Sequence, residues 1–271
     1  MRLSKRLEMV ADFAGRDRSR GRQPGKTEKD PWYRVADVGT DHGYVPIALA
    51  LRDPAVRAVA MDIRPGPLKR AEEHIEEYGL GDRIETRLGD GVKELKAGEA
   101  ETVIIAGMGG ELVLHILEGG RHLWKSVDRW ILSPQSEPDK VRRYLENQGF
   151  AITGEDMVEE EGKYYTVMEA VRGELLEPDK AGRDRELSSD PELAEAGYLY
   201  GMDLIRGKNP VLMEFLKREK GKLTEILRDL EGRNSSRTEA RSEELRQKLS
   251  WIRRAVEEMG LNTEEERRET R

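Results

Sequence analysis

The stretch from Asp37 to Pro46, with the sequence Asp-Val-Gly-Thr-Asp-His-Gly-Tyr-Val-Pro, has the residue types best suited to a ligand site. A glycine-bearing turn between a first strand and a helix is where doubly wound folds bind nucleotide-like ligands. The dinucleotide fingerprint would need glycine where Asp41 and Tyr44 stand, and no Gly-Lys-Ser/Thr follows to form a phosphate loop. A carboxylate at Asp41, close to Asp37, would repel a pyrophosphate. The loop therefore favours a cationic ligand.

Two further carboxylates follow later predicted strands. Asp62 ends the second strand, and Asp90 follows the third in the segment Leu-Gly-Asp-Gly. The carboxyl ends of parallel strands share the edge that forms the ligand crevice. S-adenosylmethionine carries a sulfonium and an ammonium but no phosphate; Asp62 could accept its ribose hydroxyls and Asp90 its adenine amino group. Each acid alone could be an ordinary strand-end or helix-capping residue, but together they predict a methyltransferase.

Short apolar runs alternate with amphipathic stretches between residues 33 and 171. The predicted buried strands are residues 34–38, 56–63, 84–88, 102–106 and 130–132, and the predicted helices are residues 45–51, 67–78, 111–117 and 140–148. This alternation predicts parallel βαβ units. Residues 151–158 and 164–171 are predicted to form an antiparallel hairpin around an acidic Glu-Glu-Glu-Gly turn. The predicted fold class is α/β, a doubly wound Rossmann-like sheet of seven strands with an antiparallel last strand.

The C-terminal part of the chain has a different pattern. Residues 191–205 are predicted to form one helix, and residues 210–230 and 239–259 two long helices. Their leucine-rich stripes recur mostly at spacings of three and four, which is typical of an antiparallel coiled-coil hairpin. The predicted domains are a methyltransferase domain at 1–173, a linker at 174–190 and an α-helical coiled-coil domain at 191–271.

Composition excludes several classes of function. The 271 residues include no cysteine, which excludes disulfides, thiolate metal sites and a cysteine nucleophile, and the four histidines show no paired spacing for a metal. No apolar run approaches the ~18 residues of a membrane span and no signal peptide is evident, so we expect a cytoplasmic protein without a membrane partner.

The net charge of −7 argues mildly against nucleic-acid binding, but the charge is uneven. Residues 1–34 carry a net +5, while residues 35–171 carry −10. The basic run comprises Arg16, Arg18, Arg20, Arg22 and Lys26. It could be a flexible arm for a polyanion or a solvated loop.

Three segments together resemble the bacterial tRNA (adenine(22)-N(1))-methyltransferases. They are Leu-Ser-Lys-Arg-Leu at 3–7, the loop at 37–46, and Ile-Ala-Gly-Met-Gly-Gly at 105–110. The resemblance runs from Leu3 to about Met259. It implies a class I methyltransferase domain followed by a helical coiled-coil domain, with S-adenosylmethionine as cofactor and N1 of adenine 22 in tRNA as the methyl acceptor.

The resemblance also implies positions for the cofactor site. The expected contacts are Asp37, Gly39, Asp41, Gly43, Asp62, Ile63, Asp90, Gly91 and Gly107, with Met108 lining the methyl-transfer pocket beside Gly107. Two features depart from the family pattern. The arm at 15–30 is longer and more basic, and Ser133-Pro134-Gln135 stands where Gln-Pro-Asn is expected, which leaves the role of Gln135 open.

The expected chemistry is simple, because N1 of adenine has an in-plane lone pair. The enzyme has chiefly to align the base with the methyl group and to stabilise the positive charge that develops. Asp41 is the first candidate for that charge, although it could instead bind the cofactor ammonium or cap the helix. His42 could orient Asp41, contact RNA or be structural, and Tyr44 could stack on the base or only pack.

The candidate RNA contacts are Lys5 and Arg6 together with the basic arm, and the arginines around the hairpin tip, namely Arg228, Arg233, Arg237 and Arg241. The hairpin could instead be a dimerisation or stability element. A methyltransferase for another RNA, a protein or a small molecule remains an alternative, as does a non-catalytic cofactor-binding scaffold. An NAD oxidoreductase is disfavoured by Asp41 and Tyr44.

Overall fold

A computed structural model of the chain describes residues 1–16, 32–175, 190–231 and 236–260. The chain divides into two compact units, Met1–Lys180 and Ala181–Arg271. Within the described ranges, no helix combines the length and the apolar character needed to cross a membrane.

The first unit is built on a sheet of seven strands. Their bounds are β1 Tyr33–Val38, β2 Val56–Asp62, β3 Ile84–Leu88, β4 Thr102–Ala106, β5 Arg129–Ser133, β6 Phe150–Glu160 and β7 Lys163–Arg172. The strand order is β3-β2-β1-β4-β5-β7-β6. β1 to β5 pair in parallel, whereas β7 lies antiparallel between β5 and β6. This confirms the predicted Rossmann-like sheet and its closing hairpin.

Among the described residues, five α-helices belong to this unit: the first precedes the sheet, and the other four each connect two successive strands. They are α1 Lys5–Gly15, α2 Tyr44–Arg52, α3 Pro65–Glu77, α4 Gly110–Gly119 and α5 Pro138–Asn147. Alternate residues of each strand point to opposite faces. Ile104 of β4 therefore belongs to one apolar layer, while its neighbours Val103 and Ile105 belong to the other. The two layers fix the sheet and hold the loops at its carboxyl edge.

Helix α1 was not predicted from the sequence. Ser4 caps it by accepting a hydrogen bond from the Leu7 backbone N–H at 3.4 Å. Val10, Phe13 and Ala14 are almost completely buried, and the helix packs against α2, β6 and β7. The segment preceding the basic arm is therefore part of the folded core.

The second unit consists of helices in the part that the structure describes. Their bounds are α6 Pro191–Tyr200, α7 Met202–Arg206, α8 Pro210–Glu231 and α9 Ser236–Glu258. The prediction of a single helix over 191–205 is wrong. Gly201 has φ 90° and ψ 117°, outside the helical region, and it separates α6 from α7.

The two long helices pack together as their leucine stripes predicted. Leu212 and Leu216 of α8 and Leu245 and Ile252 of α9 are completely buried, and the two helices are in contact. A four-residue connection between contacting helices of this length requires that they run antiparallel. Helices α6 and α7 also contact α9, so four helices share this core rather than two. The tip residue Arg233 and residues 176–189 of the predicted linker lie outside the described residues.

Candidate active site

The loop between β1 and α2 is held against the end of β2. The backbone N–H groups of Gly39 and Thr40 both donate to the carbonyl oxygen of Met61 at 2.8 Å. Gly39 has φ +78° and Gly43 has φ +68°, conformations that glycine adopts without steric cost. These two residues turn the chain sharply at the carboxyl edge of the sheet, the usual ligand edge of such folds.

Two buried carboxylates lie at this edge. Asp37 near the end of β1 and Asp62 at the end of β2 are each only 7% exposed. Burial raises the pKa of Asp37 to about 6; the nearby Thr40 hydroxyl opposes this rise, and the charge of Asp62 adds to it. Asp62 accepts a hydrogen bond from the backbone N–H of Arg64 at 2.7 Å. Two adjacent buried acids favour a ligand that brings a positive charge or hydroxyl donors.

The third predicted acid belongs to the same edge. The backbone N–H of Gly89 donates to the carbonyl oxygen of Asp62 at 3.0 Å, which brings the loop after β3 beside the end of β2. Asp90 in that loop forms an ion pair with Lys93, which lowers the pKa of the carboxyl. Ile63 follows Asp62 and is 61% exposed, an apolar surface suited to a flat ring.

The loops after β4 and β5 meet the first loop. A Cβ atom built on Gly39 would lie 1.9 Å from the terminal methyl carbon of Met108. The Gln135 backbone N–H donates to the Met108 carbonyl oxygen at 2.8 Å, and that of Gly107 donates to Ser133 at 3.2 Å. The structure therefore brings Gly39, Gly107 and Met108 together and places Gln135 next to them, although it gives the Gln135 side chain no role.

Asp41, His42 and Tyr44 form a more exposed group beside the buried acids. The Asp41 side chain is 61% exposed, and its Oδ1 atom lies 2.8 Å from the Arg70 guanidinium and 3.5 Å from His42 Nε2. The His42 ring stacks on Tyr44, with centroids 5.1 Å apart, and on His74, at 5.3 Å. Arg70 and His74, both on α3, were not predicted to belong to the site. Their spacing of four residues places them on one helix face, but only the fold shows that this face meets the loop.

One buried polar atom in this loop, His42 Nδ1, lacks a hydrogen-bond partner among the described residues. Because buried polar groups are normally satisfied, such an atom at a crevice favours a ligand that completes its bonding. Over the same residues, no group of three or more His, Asp or Glu is arranged to hold a metal ion.

The predicted RNA contacts are only partly covered by the structure. Lys5 Nζ donates to the Glu159 carbonyl oxygen at 3.2 Å, and the Arg6 guanidinium lies over the Tyr165 ring at 5.1 Å. The Arg16 guanidinium lies over the Phe13 ring at 3.7 Å. Lys5 and Arg6 thus contact the β6–β7 hairpin, while Arg18, Arg20 and Arg22 lie outside the described residues.

Comparison with known proteins gives one consistent answer. The profile of the family described as tRNA (adenine(22)-N(1))-methyltransferase matches residues 35–254. The Bacillus subtilis protein of that name is 35% identical over 214 residues, which cover 79% of each chain. The crystal structure of a B. subtilis m1A22 tRNA methyltransferase superposes with a TM-score of 0.74 at 29% identity, over 94% of this chain and 99% of that one.

A second solved structure contains a ligand. A Streptococcus pneumoniae protein in complex with S-adenosyl-L-methionine superposes with a TM-score of 0.71 at 28% identity, over 94% of this chain and 100% of that one. Both the sequence profile and the relative from B. subtilis span most of the chain. The chain therefore belongs to the tRNA (adenine(22)-N(1))-methyltransferase family.

Proposed function

We propose that the protein transfers the methyl group of S-adenosylmethionine to N1 of adenine 22 in tRNA. The observation that carries this proposal is the family match over residues 35–254. The buried acids Asp37 and Asp62 at the ligand edge support the cofactor part of it. Because tRNA is the proposed substrate, we also propose a cytoplasmic location.

The residues at the sheet edge fit this cofactor. When bound, S-adenosylmethionine supplies an electrophilic methyl group on a positively charged sulfur. In the proposed site, Asp37 accepts hydrogen bonds from the ammonium group, Asp62 accepts from the ribose hydroxyls, and Asp90 accepts from the adenine amino group. Ile63 packs against the adenine ring. The backbones of Gly39, Gly43, Gly91 and Gly107 allow close approach, because none of them has a side chain in the way.

The chain's remaining task is to orient the target base. Adenine N1 attacks the methyl carbon with its lone pair, so the N–C bond forms as the S–C bond breaks and the base takes on the positive charge. Gly107 and Met108 line the space for the base, and Tyr44 offers a ring for stacking. Both observed contacts of Asp41 use Oδ1. We therefore assign Oδ2 to the N6 amino group of the target base, where the carboxylate offsets the developing charge.

We assign tRNA binding to two regions. One comprises Lys5 and Arg6 with the basic arm, namely Arg16, Arg18, Arg20 and Arg22. The other is the helical domain at 191–271, which residues 174–190 join to the methyltransferase domain at 1–173. Because N1 lies on the pairing edge of adenine, the target base must leave its stack before it reaches Tyr44.

Transfer of a labelled methyl group to a tRNA transcript tests the proposal directly. We expect one methyl group per transcript, mapped by mass spectrometry to N1 of adenine 22, and no incorporation when that nucleotide is guanine. A transcript that is methylated elsewhere would contradict the assigned position. A protein that binds the cofactor but methylates no RNA would support the non-catalytic alternative.

The variant Asp41→Asn tests the assigned role of that carboxylate. Asparagine keeps the shape and the acceptor oxygen but removes the charge, so we expect kcat to fall by about tenfold to a hundredfold. The dissociation constant for S-adenosylmethionine, measured by calorimetry, should stay within about threefold of that of the wild type. If the cofactor affinity falls as much as kcat, Asp41 binds the cofactor ammonium instead.

A further inference from the structure

One face of helix α3 packs directly on the loop that carries Asp41, His42 and Tyr44. Arg70 forms an ion pair with Asp41 at 2.8 Å. A Cβ atom built on Gly43 would lie only 3.3 Å from the Cβ atom of Ala71, so the helix and the loop are in close contact there. One turn after Arg70, His74 reaches the same loop.

His74 makes both a hydrogen bond and ring contacts. Its Nδ1 atom lies 2.9 Å from the carbonyl oxygen of His42. Because a carbonyl oxygen only accepts, His74 must carry a proton on Nδ1 and donate it. The His74 ring also lies 5.3 Å from the His42 ring and 5.2 Å from the Tyr44 ring, centroid to centroid, with interplanar angles of 22° and 16°.

The backbone that this hydrogen bond holds is an unusual one. His42 has φ +66°, in the left-handed region that non-glycine residues rarely adopt. Gly43 follows with φ +68°, so two successive residues are left-handed. The His42 Nδ1 atom is buried and has no hydrogen-bond partner among the described residues. Contacts from outside the loop therefore help to hold this turn. Three of them come from His74, namely its hydrogen bond to the His42 carbonyl oxygen and its contacts with the rings of His42 and Tyr44.

We propose that His74 is a positioning residue for methyl transfer. By donating to the His42 carbonyl oxygen and packing on the rings of His42 and Tyr44, it fixes the left-handed turn that aims Asp41 and Tyr44 at the target base. In this role it acts through His42 and Tyr44 and not on the base or the cofactor directly. This inference rests on the proposed function, because it takes Asp41 and Tyr44 as the groups that receive the base.

Three substitutions separate the hydrogen bond from general packing. In His74→Asn the amide nitrogen can occupy the position of Nδ1 and donate to the same carbonyl. In His74→Gln the amide lies one methylene further out, nearer the position of Nε2, and in His74→Ala there is no donor. Each variant is assayed for kcat, for KM with tRNA and for cofactor affinity by calorimetry. Hydrogen exchange of the Ile47 backbone N–H, which donates to the Gly43 carbonyl oxygen at 3.0 Å, is followed without substrate.

A positioning role predicts a specific pattern. Loss of one hydrogen bond that aligns the reacting groups should lower kcat by about fivefold to tenfold in His74→Ala and His74→Gln. His74→Asn should retain kcat within about twofold. The cofactor dissociation constant should change by less than about threefold in all three variants, because Gly39 and Thr40 are held independently by Met61. Exchange of the Ile47 N–H should accelerate in the alanine and glutamine variants only.

Three results would overturn the proposal. They are wild-type kcat in His74→Ala, equal losses in the asparagine and alanine variants, or a loss of kcat that follows a matching loss of cofactor affinity. Failure of the proposed function would look different, since the wild type itself would then methylate no tRNA. In that case the hydrogen-exchange comparison still decides whether His74 holds the turn.

Discussion

Asp37 couples the stability of the protein to pH at the scale of a single residue. Burial raises its pKa from 3.8 to about 6, so the folded protein retains a proton that the unfolded chain releases. The stabilisation is complete below pH 3.8, decreases as pH rises, and is lost above about 6. A rise of this size corresponds to about 3 kcal/mol.

Replacing Asp37 by asparagine should remove this dependence. The free energy of unfolding of the ligand-free Asp37→Asn variant, minus that of the wild type, should increase by about 2 kcal/mol between pH 4 and pH 7, because part of the stabilisation is already lost at pH 4. Denaturant titration at several pH values measures it. Cofactor affinity should change in the opposite direction to stability. In the wild type it should increase about tenfold for each unit that the pH rises towards 6, and in the variant it should not depend on pH. Equal wild-type affinities at pH 5 and pH 7 would show that Asp37 does not bind the ammonium.

Gly39 and Gly162 have nearly the same backbone φ angle, but only Gly39 lies at the crevice. Comparing alanine at the two positions therefore tests whether the crevice needs a residue without a side chain at position 39. Gly39 has φ +78° and a Cβ atom there would meet Met108 at 1.9 Å, whereas Gly162 has φ +77° and nothing within 4 Å. Alanine at either position should cost about 1–2 kcal/mol of stability through backbone strain. Only Gly39→Ala should also weaken cofactor binding by more than about tenfold, because the terminal methyl of Met108 must leave its place beside the loop. Equal cofactor affinity in the two variants would contradict this assignment.

The sequence predicted the common edge of the three acids better than it predicted their neighbours. Asp37 and Asp62 lie near the ends of strands and Asp90 follows one, and the carboxyl ends of parallel strands meet at one edge whatever the details of packing. Arg70 and His74 carry no such signal, because their contacts with Asp41 and His42 depend on how α3 packs on the loop. The exposure of Asp41 beside the buried Asp37 likewise required the structure.

At the scale of elements, a buried ionic network fixes the end of α1 to the sheet. Arg129 of β5 lies 3.1 Å from Glu169 of β7, and both are at least 96% buried in their side chains. Arg129 also donates to the Ala14 carbonyl oxygen at 2.8 Å, as Tyr33 does at 2.6 Å. The last turn of α1 is thus held by side chains from two strands.

Breaking this network should destabilise the first unit strongly. Arg129→Met leaves the Glu169 charge buried without its partner, so we expect a loss of about 3–5 kcal/mol in unfolding free energy. The double variant Arg129→Met/Glu169→Gln should lose less, since it removes that charge. Lys140→Met, which removes an exposed partner of Glu111 and Glu137, should lose at most about 1 kcal/mol. A loss from Arg129→Met no larger than this control would show that the network does not stabilise the unit.

The elements that the sequence predicted well are those with a strong apolar pattern. The bounds of β3 and β4 are those predicted: β4 is a short apolar run, and a glycine follows each of the two strands. Strands β6 and β7 extend further than predicted, since Glu160 pairs with Lys163 at a polar hairpin end. Helix α1 was missed because its charged residues led into the basic arm, although Val10, Phe13 and Ala14 at helical spacing mark its buried face. The break at Gly201 depends on a single backbone conformation.

At the scale of the whole molecule, acidic and basic residues are concentrated in different regions, which suit different ligands. The net charge of −7 lies mainly in residues 35–171, where acids at the sheet edge suit a cationic cofactor. Residues 1–34 carry a net +5, and the helical unit adds exposed arginines. An acidic protein can therefore bind a polyanion, provided that its basic residues form the contacting surface.

This distribution of charge predicts that tRNA binding depends on salt concentration, and that the exposed arginines of the helical unit contribute to this dependence. Arg228 of α8 and Arg237 of α9 are exposed in the helical unit, and each phosphate contact contributes about −0.9 to the slope of log affinity against log salt. The variant Arg228→Ala/Arg237→Ala should weaken tRNA binding at low salt and make the slope shallower by about 2.

Lys96 and Lys125 are exposed before β4 and β5, at the amino ends of the strands and away from the crevice. The control Lys96→Ala/Lys125→Ala removes the same charge there and should leave the slope unchanged. If both double variants shift the slope equally, tRNA responds to net charge alone, and the helical unit is not its binding surface.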